Sequence, residues 1–318
     1  MSHIDVLSVT KLSPLLEPQL RAVFNLHDRV HETDPAAFAK IAPSIRAIAA
    51  SGESKVPASL IAQLPALEII SVFGVGYDGV DVAAAKARNV MVTHTPNVLN
   101  DDVADLAIGL MLAAARQLPA ADRYVKEGQW PNGPMPLARK VSGARLGIVG
   151  MGRIGQAIAQ RGLAFNMSIA YTARSAKADI PYQYFPNPTA LAAACDYLVV
   201  ITPGGAATRK LINAEVLQAL GTKGILVNVA RGSVVDEAAL IEALQNGVIG
   251  GAGLDVFESE PHVPEALRAF PHVVLAPHIG SATSQTRQAM ADLAFNNLKS
   301  HFESDAVHTP VPECAHKG

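Results

Sequence analysis

Three ionisable side chains each follow a short apolar run in the second half of the chain: Arg231 after Leu226–Val229, Glu260 after Leu254–Val256, and His278 after Val273–Ala276. Together they could carry out proton-coupled carbonyl chemistry. An arginine grips a carboxylate with its planar fork, and a histidine can hold or release a proton near neutral pH. A carboxylate beside that histidine stabilises the imidazolium and keeps a proton available, while the neutral ring would accept the proton in the reverse direction. Hydride reduction of a 2-oxo acid needs these parts: a cation for the carboxylate, polarisation of the ketone and a proton donor for the new alkoxide. Taken singly, each residue has a plainer reading. A lone histidine is more often structural, and Glu260 before Pro261 could simply begin a turn.

A hydride needs a carrier, and a candidate cradle lies upstream. Leu146-Gly147-Ile148-Val149 leads into Gly150-Met151-Gly152-Arg153-Ile154-Gly155 and then Gln156–Leu163, which reads as strand, glycine turn and helix with G-x-G-x-x-G spacing. Gly150 is expected to make the tight turn, Gly152 to let the backbone approach a pyrophosphate, and Gly155 to allow close packing of helix on strand. Arg153 and Ile154 then open the helix whose N-terminus faces the phosphates. By itself the pattern also suits a structural strand-helix turn; the strand before it and the helix after it favour dinucleotide binding.

The choice of dinucleotide is read about 20 residues further on, where an NAD site places an acid for the ribose 2′-hydroxyl. Here the second strand ends Tyr171-Thr172-Ala173-Arg174-Ser175-Ala176-Lys177, with no acid before Asp179. Arg174 can grip a 2′-phosphate and Ser175 can donate a further hydrogen bond, so NADP is the expected cofactor, with NAD possible. The alternative for Arg174 is a solvated surface arginine.

These residues must be held by a sheet. Val- and Ile-rich runs alternate with Ala-rich stretches of helical period, the pattern of repeated strand-helix units and a parallel sheet. Strands are predicted at Ile4–Val9, Ile45–Ala49, Leu67–Phe73 and Val90–Thr93, with helices over Pro57–Leu64 and Asp81–Arg88, which resembles a flavodoxin-like half. A second series of six follows: Arg145–Val149, Met167–Thr172, Tyr197–Ile201, Gly224–Asn228, Gly251–Leu254 and Val273–Ala276. The expected fold is α/β, with two doubly wound parallel-sheet domains: a flavodoxin-like substrate domain of residues 1–99 and 286–318, and a Rossmann NAD(P)-binding domain of residues 100–285. Arg231, Glu260 and His278 would then stand at the strand ends where ligands bind in such sheets.

Asp101–Arg116 is predicted to be a helix with an acidic start and a basic end, passing the chain from one lobe to the other; Asp101 and Asp102 are read as helix-start charges. Gly128–Pro136, which holds the single tryptophan, is predicted to be irregular, and a last helix over Ser284–Phe302 could return to the first lobe.

At 318 residues the chain fits two domains with a cleft between them. With 49% apolar residues and 5% aromatic, it suits buried parallel sheets covered by small-residue helices. A formal charge of −2 offers no basic field for nucleic acid, and no apolar run is long enough to span a bilayer, so the expected partner is a small molecule. Met1-Ser2-His3-Ile4-Asp5 lacks the pattern of a secretion signal, and Cys195 and Cys314 are too few and too separate for a disulfide or metal framework. A cytoplasmic protein without a metal is expected.

In motif order, the chain resembles the D-isomer-specific 2-hydroxyacid dehydrogenase family over nearly its whole length. The resemblance rests on Phe73-Gly74-Val75-Gly76-Tyr77-Asp78-Gly79-Val80-Asp81, the glycine fingerprint, Asn228-Val229-Ala230-Arg231-Gly232, Gly253-Leu254-Asp255-Val256-Phe257-Glu258-Ser259-Glu260-Pro261 and Pro277-His278-Ile279-Gly280. It implies that His278 is the acid/base, Glu260 its carboxylate partner, and Arg231 the residue that binds the substrate carboxylate and carbonyl. It also implies that the amides of Val75 and Gly76 hold the substrate carboxylate and that Asp255 contacts the nicotinamide carboxamide. Thr202, Pro203, Val229, Ala230, Arg231, His278 and Gly280 fall on segments that line the cofactor in the family. A homodimer joined around residues 101–145 is implied too, with Trp130, Met135 and Leu137 either capping the active site or packing the interface. His94, at a strand end, could line the cleft but is read as a surface or packing residue.

The chain departs from the family at Val200-Ile201-Thr202-Pro203-Gly204-Gly205, where Leu-His-x-Pro-Leu is usual, so Thr202 stands in place of a histidine. Glu260 argues against the formate-oxidising branch, which has glutamine there, and the appended regulatory domain of phosphoglycerate-oxidising members is expected to be absent. The closest likeness is to the glyoxylate/hydroxypyruvate reductase branch, in which Arg-Ser near the ribose also occurs. Two other readings stay open: oxidation of phosphite or another inorganic oxyanion, which uses similar parts, and a non-enzymatic dinucleotide-sensing protein, which would need extra tails.

Overall fold

A computed structural model describes residues 4–315; Met1–His3, part of the stretch examined for a secretion signal, and residues 316–318 lie outside the described residues. The chain divides into two compact units, Met1–Leu99 with Thr283–Gly318, and Asn100–Ala282.

The first unit is built on five parallel strands, β1 (Asp5–Ser8), β2 (Asn25–Asp28), β3 (Ile45–Ser51), β4 (Ile69–Phe73) and β5 (Met91–Thr93), in the order β2-β1-β3-β4-β5. This is the doubly wound order of flavodoxin-like sheets. Every residue of β4 is buried, as its mostly apolar run requires when helices cover both faces. One cover is the Ser284–Ser304 helix, tied to β4 by the Ser71 hydroxyl, which donates to the Ala294 carbonyl at 3.0 Å. The sequence did not announce β2. Its residues, Asn-Leu-His-Asp, are polar but for Leu26 and partly exposed, as suits a strand at the sheet edge that pairs only with β1. The helix expected over Pro57–Leu64 is the shorter Ala58–Ala62, begun by Pro57.

The second unit carries seven parallel strands rather than the six expected: β6 (Arg145–Val149), β7 (Ser168–Thr172), β8 (Gln183–Tyr184), β9 (Tyr197–Val200), β10 (Ile225–Asn228), β11 (Gly251–Leu254) and β12 (Val273–Leu275). They lie in the order β12-β11-β10-β9-β6-β7-β8, the Rossmann arrangement with one strand added. The strand missed was β8, two residues long and too short to show alternation.

Helix Asn100–Arg116 belongs to this unit and buries Val103, Ala104, Ala107, Ile108 and Met111 among other residues. That helix explains Gly253 of β11: a Cβ there would come within 2.9 Å of the Leu110 Cβ. Asp101 and Asp105 accept hydrogen bonds from the Arg161 guanidinium at 3.1 and 2.5 Å, tying this helix to Arg153–Ala164. A further helix, Leu118–Lys126, precedes the irregular stretch, within which Trp130–Asn132 makes a single 3-10 turn. No single helix among the described residues is long and apolar enough to cross a membrane.

Candidate active site

The turn from β6 into helix Arg153–Ala164 uses its three glycines differently. Gly150 has φ +106°, and a Cβ there would lie 2.9 Å from the backbone of Ile201 and Thr202. At Gly155 a Cβ would fall 2.1 Å from the Gly150 carbonyl oxygen, so helix and turn could not approach. The protein itself therefore demands both glycines. Gly152 differs: it is exposed, and a Cβ there would meet nothing within 4 Å. It caps the helix without a side-chain hydrogen bond, so it gives the first-turn amides, including those of Arg153 and Ile154, no side-chain acceptor. A pyrophosphate suits that opening by shape and by charge, because the helix N-terminus favours an anion.

Beyond β7, Arg174 and Ser175 are both exposed, and the turn that carries them is fixed by the Lys177 amide donating to the Tyr171 hydroxyl at 2.9 Å. Thr202 is half-buried after β9. Pro203 accepts a hydrogen bond on its carbonyl from the Thr208 hydroxyl at 2.7 Å, which closes the Gly204–Gly205 loop.

Strands β10, β11 and β12 are neighbours and run parallel, so the residues that follow them emerge at one edge of the sheet. His278 and Glu260 meet there. The carboxylate Oε2 lies 2.7 Å from His278 Nδ1, and Oε1 accepts from the Phe257 amide at 2.8 Å. An acceptor at Nδ1 places the hydrogen on that nitrogen.

His278 has φ 53°, in the left-handed region that side chains seldom adopt. Asp255 holds the turn there. Its carbonyl accepts from the His278 amide at 2.9 Å, and its carboxylate oxygens accept from the Ile279 and Gly280 amides at 2.7 and 2.8 Å. Asp255 is 1% exposed; burial pushes its carboxyl above the usual range, while the two amides act the other way. A Cβ on Gly280 would come within 3.1 Å of that carboxylate, so the close bond to the Gly280 amide relies on the missing side chain.

Arg231 follows β10 in an extended conformation. Its Nη1 donates to the Ala230 carbonyl at 2.7 Å, and its own carbonyl accepts from the Asn228 side-chain amide at 3.0 Å. Asn228 also accepts from the Ala230 amide at 3.1 Å, so one buried asparagine shapes the turn that presents Val229, Ala230 and Arg231. The next residue, Gly232, sets this turn against the loop of Glu260. A Cβ on Gly232 would lie 1.9 Å from the Phe257 carbonyl carbon, a contact only glycine permits.

Val75 and Gly76 lie in the first unit, in the loop after β4. Among the described residues, neither backbone amide has a hydrogen-bond acceptor, which leaves two donors for an anion.

Residues 108–280 match the family described as D-isomer specific 2-hydroxyacid dehydrogenase, NAD binding domain. The chain is 46% identical over 312 residues to a glyoxylate/hydroxypyruvate reductase A of Arabidopsis thaliana, covering 98% of this chain and 100% of that protein. It is 47% identical over 314 residues to a hydroxyphenylpyruvate reductase of Plectranthus scutellarioides, with coverage of 98% and 100%. A solved NADPH-dependent glyoxylate/hydroxypyruvate reductase of Sinorhizobium meliloti, in complex with NADP and malonate, is 48% identical with a TM-score of 0.92 and 98% coverage of both chains.

The chain belongs to this family. It is an NAD(P)-dependent oxidoreductase of the glyoxylate/hydroxypyruvate reductase branch of the D-2-hydroxyacid dehydrogenases. In this family member two supporting residues escaped the reading of the sequence, Asn228 and Gly232. Both stand inside the segment that carried the resemblance, but their roles depend on partners in space. The structural use of Asp255 was also not visible, since the amides that donate to it lie 24 and 25 residues away on another strand's end.

Proposed function

We propose that the chain reduces a small 2-oxo acid such as glyoxylate or hydroxypyruvate to the D-2-hydroxy acid, with NADPH as the preferred cofactor. The observation that carries this reading is the 2.7 Å pair of His278 and Glu260 at the sheet edge that also bears Arg231. The nicotinamide, when bound, supplies the hydride. Gly150, Gly152, Arg153, Ile154 and Gly155 hold the pyrophosphate, and Thr202, Pro203, Val229, Ala230, Asp255 and Gly280 line the rest of the cofactor.

The chain's own residues do the remaining work. Arg231 binds the substrate carboxylate and polarises the ketone, and the Val75 and Gly76 amides add donors for the same carboxylate. His278 holds a proton at Nε2 and delivers it to the developing alkoxide. Glu260, held by the Phe257 amide, accepts from Nδ1 and stabilises the imidazolium before transfer. In the oxidative direction Nε2 takes the proton back. In this reading the unit of residues 100–285 binds the dinucleotide and residues 1–99 with 286–318 bind the acid.

Preference for NADPH rests on Arg174 and Ser175, exposed where an acid would otherwise exclude a 2′-phosphate. Arg174→Ala is expected to raise the Kd for NADPH by about tenfold or more and to leave that for NADH within about twofold, from the loss of a charge-assisted bond. Fluorescence titration with both cofactors reads this, and equal effects on the two would overturn the assignment.

We also propose a cytoplasmic homodimer joined around residues 101–145. Leu118, Val125, Trp130 and Leu137 are all more than half exposed in that stretch, Leu137 fully so. Such a row of apolar side chains suits burial in an interface. A monomeric mass by light scattering would contradict it.

A further inference from the structure

The loop that offers Val75 and Gly76 has local bonds only near its two ends, from the Gly74 amide to the Val72 carbonyl and from the Val80 amide to the Tyr77 carbonyl, each at 3.0 Å. It is tied down by residues that follow the next strand, β5. The Thr95 amide donates to the Gly74 carbonyl at 2.8 Å, and His94 Nδ1 lies 2.9 Å from the Val75 carbonyl oxygen. A carbonyl can only accept, so this bond requires the hydrogen on Nδ1. It reaches the peptide group that joins Val75 to Gly76, whose nitrogen is one of the two donors assigned to the substrate carboxylate.

We infer that His94 is a positioning residue that sets the direction of the Val75 and Gly76 amides and thereby the affinity for the acid. The inference rests on the carboxylate-binding role given above to those amides. His94 itself is fixed from three sides. The Tyr77 ring packs against it edge to face at 5.4 Å, and the Tyr77 hydroxyl donates to Glu313 at 3.1 Å. Burial, then the bond to Glu313, pushes that phenol up to about 12, so it remains a donor across ordinary assay conditions. On the main chain, the His94 amide donates to the Thr309 carbonyl at 3.1 Å and the Thr309 hydroxyl donates to the His94 carbonyl at 2.6 Å. Thr309 is held in turn by Asn297, fully buried in helix Ser284–Ser304, which donates to its hydroxyl at 2.8 Å and accepts from its amide at 3.0 Å. A continuous series of bonds thus runs from a rigid helix through Thr309 and His94 to the loop. Its members are far apart in sequence, so the loop's geometry depends on the C-terminal segment being in place.

An interaction with the substrate carboxylate is the same in ground and transition states, so its weakening appears in KM rather than in kcat. His94→Ala is expected to raise KM for glyoxylate and hydroxypyruvate by about tenfold, with kcat and the Kd for NADPH within about twofold. His94→Asn should restore most of the affinity, because its side-chain amide nitrogen falls near the place of Nδ1 and donates to the same carbonyl. An unchanged KM in His94→Ala would overturn the inference. So would a loss shared equally by the alanine and asparagine variants and accompanied by an equal fall in Tm, which would mark a role in folding only. Absence of wild-type turnover with any 2-oxo acid would instead overturn the reading of the site itself, and the positioning role with it.

Discussion

Replacement of His278 by alanine is expected to lower kcat by about 10²- to 10⁴-fold, the range for loss of a positioned acid/base. NADPH affinity should stay within about twofold, because the contacts proposed for the dinucleotide lie chiefly at the glycine turn and the Arg174–Ser175 corner. The expectation follows from geometry. Glu260 engages Nδ1 at 2.7 Å, and in the role proposed for His278 the proton is delivered from Nε2, which alanine cannot replace. The backbone at φ 53° tolerates the change because Asp255 fixes the turn through the amides of residues 278, 279 and 280, not through the imidazole. Steady-state rates with glyoxylate, together with an NADPH titration, check both halves. Unchanged turnover would remove His278 from its assigned role.

Arg231→Gln should reduce kcat/KM for a 2-oxo acid by about 10²- to 10³-fold. Two charge-assisted bonds of about 1.5–2 kcal/mol each sum to about 3–4 kcal/mol, and each 1.4 kcal/mol is a factor of ten. The loss should fall on kcat as well as KM, because polarisation of the ketone strengthens as negative charge develops on oxygen. Glutamine keeps a side chain of similar reach over the Asn228-shaped turn, so the backbone that Gly232 packs against Phe257 is undisturbed. Arg231→Lys should recover only part of the rate, since an ammonium lacks the two-pronged donor geometry. Rate constants for Arg231→Gln equal to the wild type would contradict the role.

Much of this was legible in the sequence because the informative residues are local. G-x-G-x-x-G between an apolar run and a helix specifies a turn whose demands fall on neighbours in the chain, and the structure shows Gly150 and Gly155 meeting those demands. The runs of β4, β6, β9 and β10 stand out because strands buried on both faces are mostly apolar, with Ser71, Arg145 and Asn228 the exceptions among them. What escaped notice is non-local or marginal. Edge strand β2 is polar, and β8 is two residues long. Asp255 reads as an isolated acid until β12 is laid beside β11, when the amides beyond His278 reach its carboxylate. His94 similarly looks like a surface histidine; its bond to Val75 forms only when β4 and β5 pair and residue 309 returns beneath them.

The most direct measurement is the consumption of NADPH by the purified chain in the presence of glyoxylate and of hydroxypyruvate. NADH in its place, and phosphite with NADP in the opposite direction, complete the comparison. Steady oxidation of NADPH dependent on the 2-oxo acid, faster than with NADH, and no reduction of NADP by phosphite are the expected results. Absence of turnover with every 2-oxo acid offered, or turnover with phosphite alone, would contradict the function proposed for His278, Glu260 and Arg231.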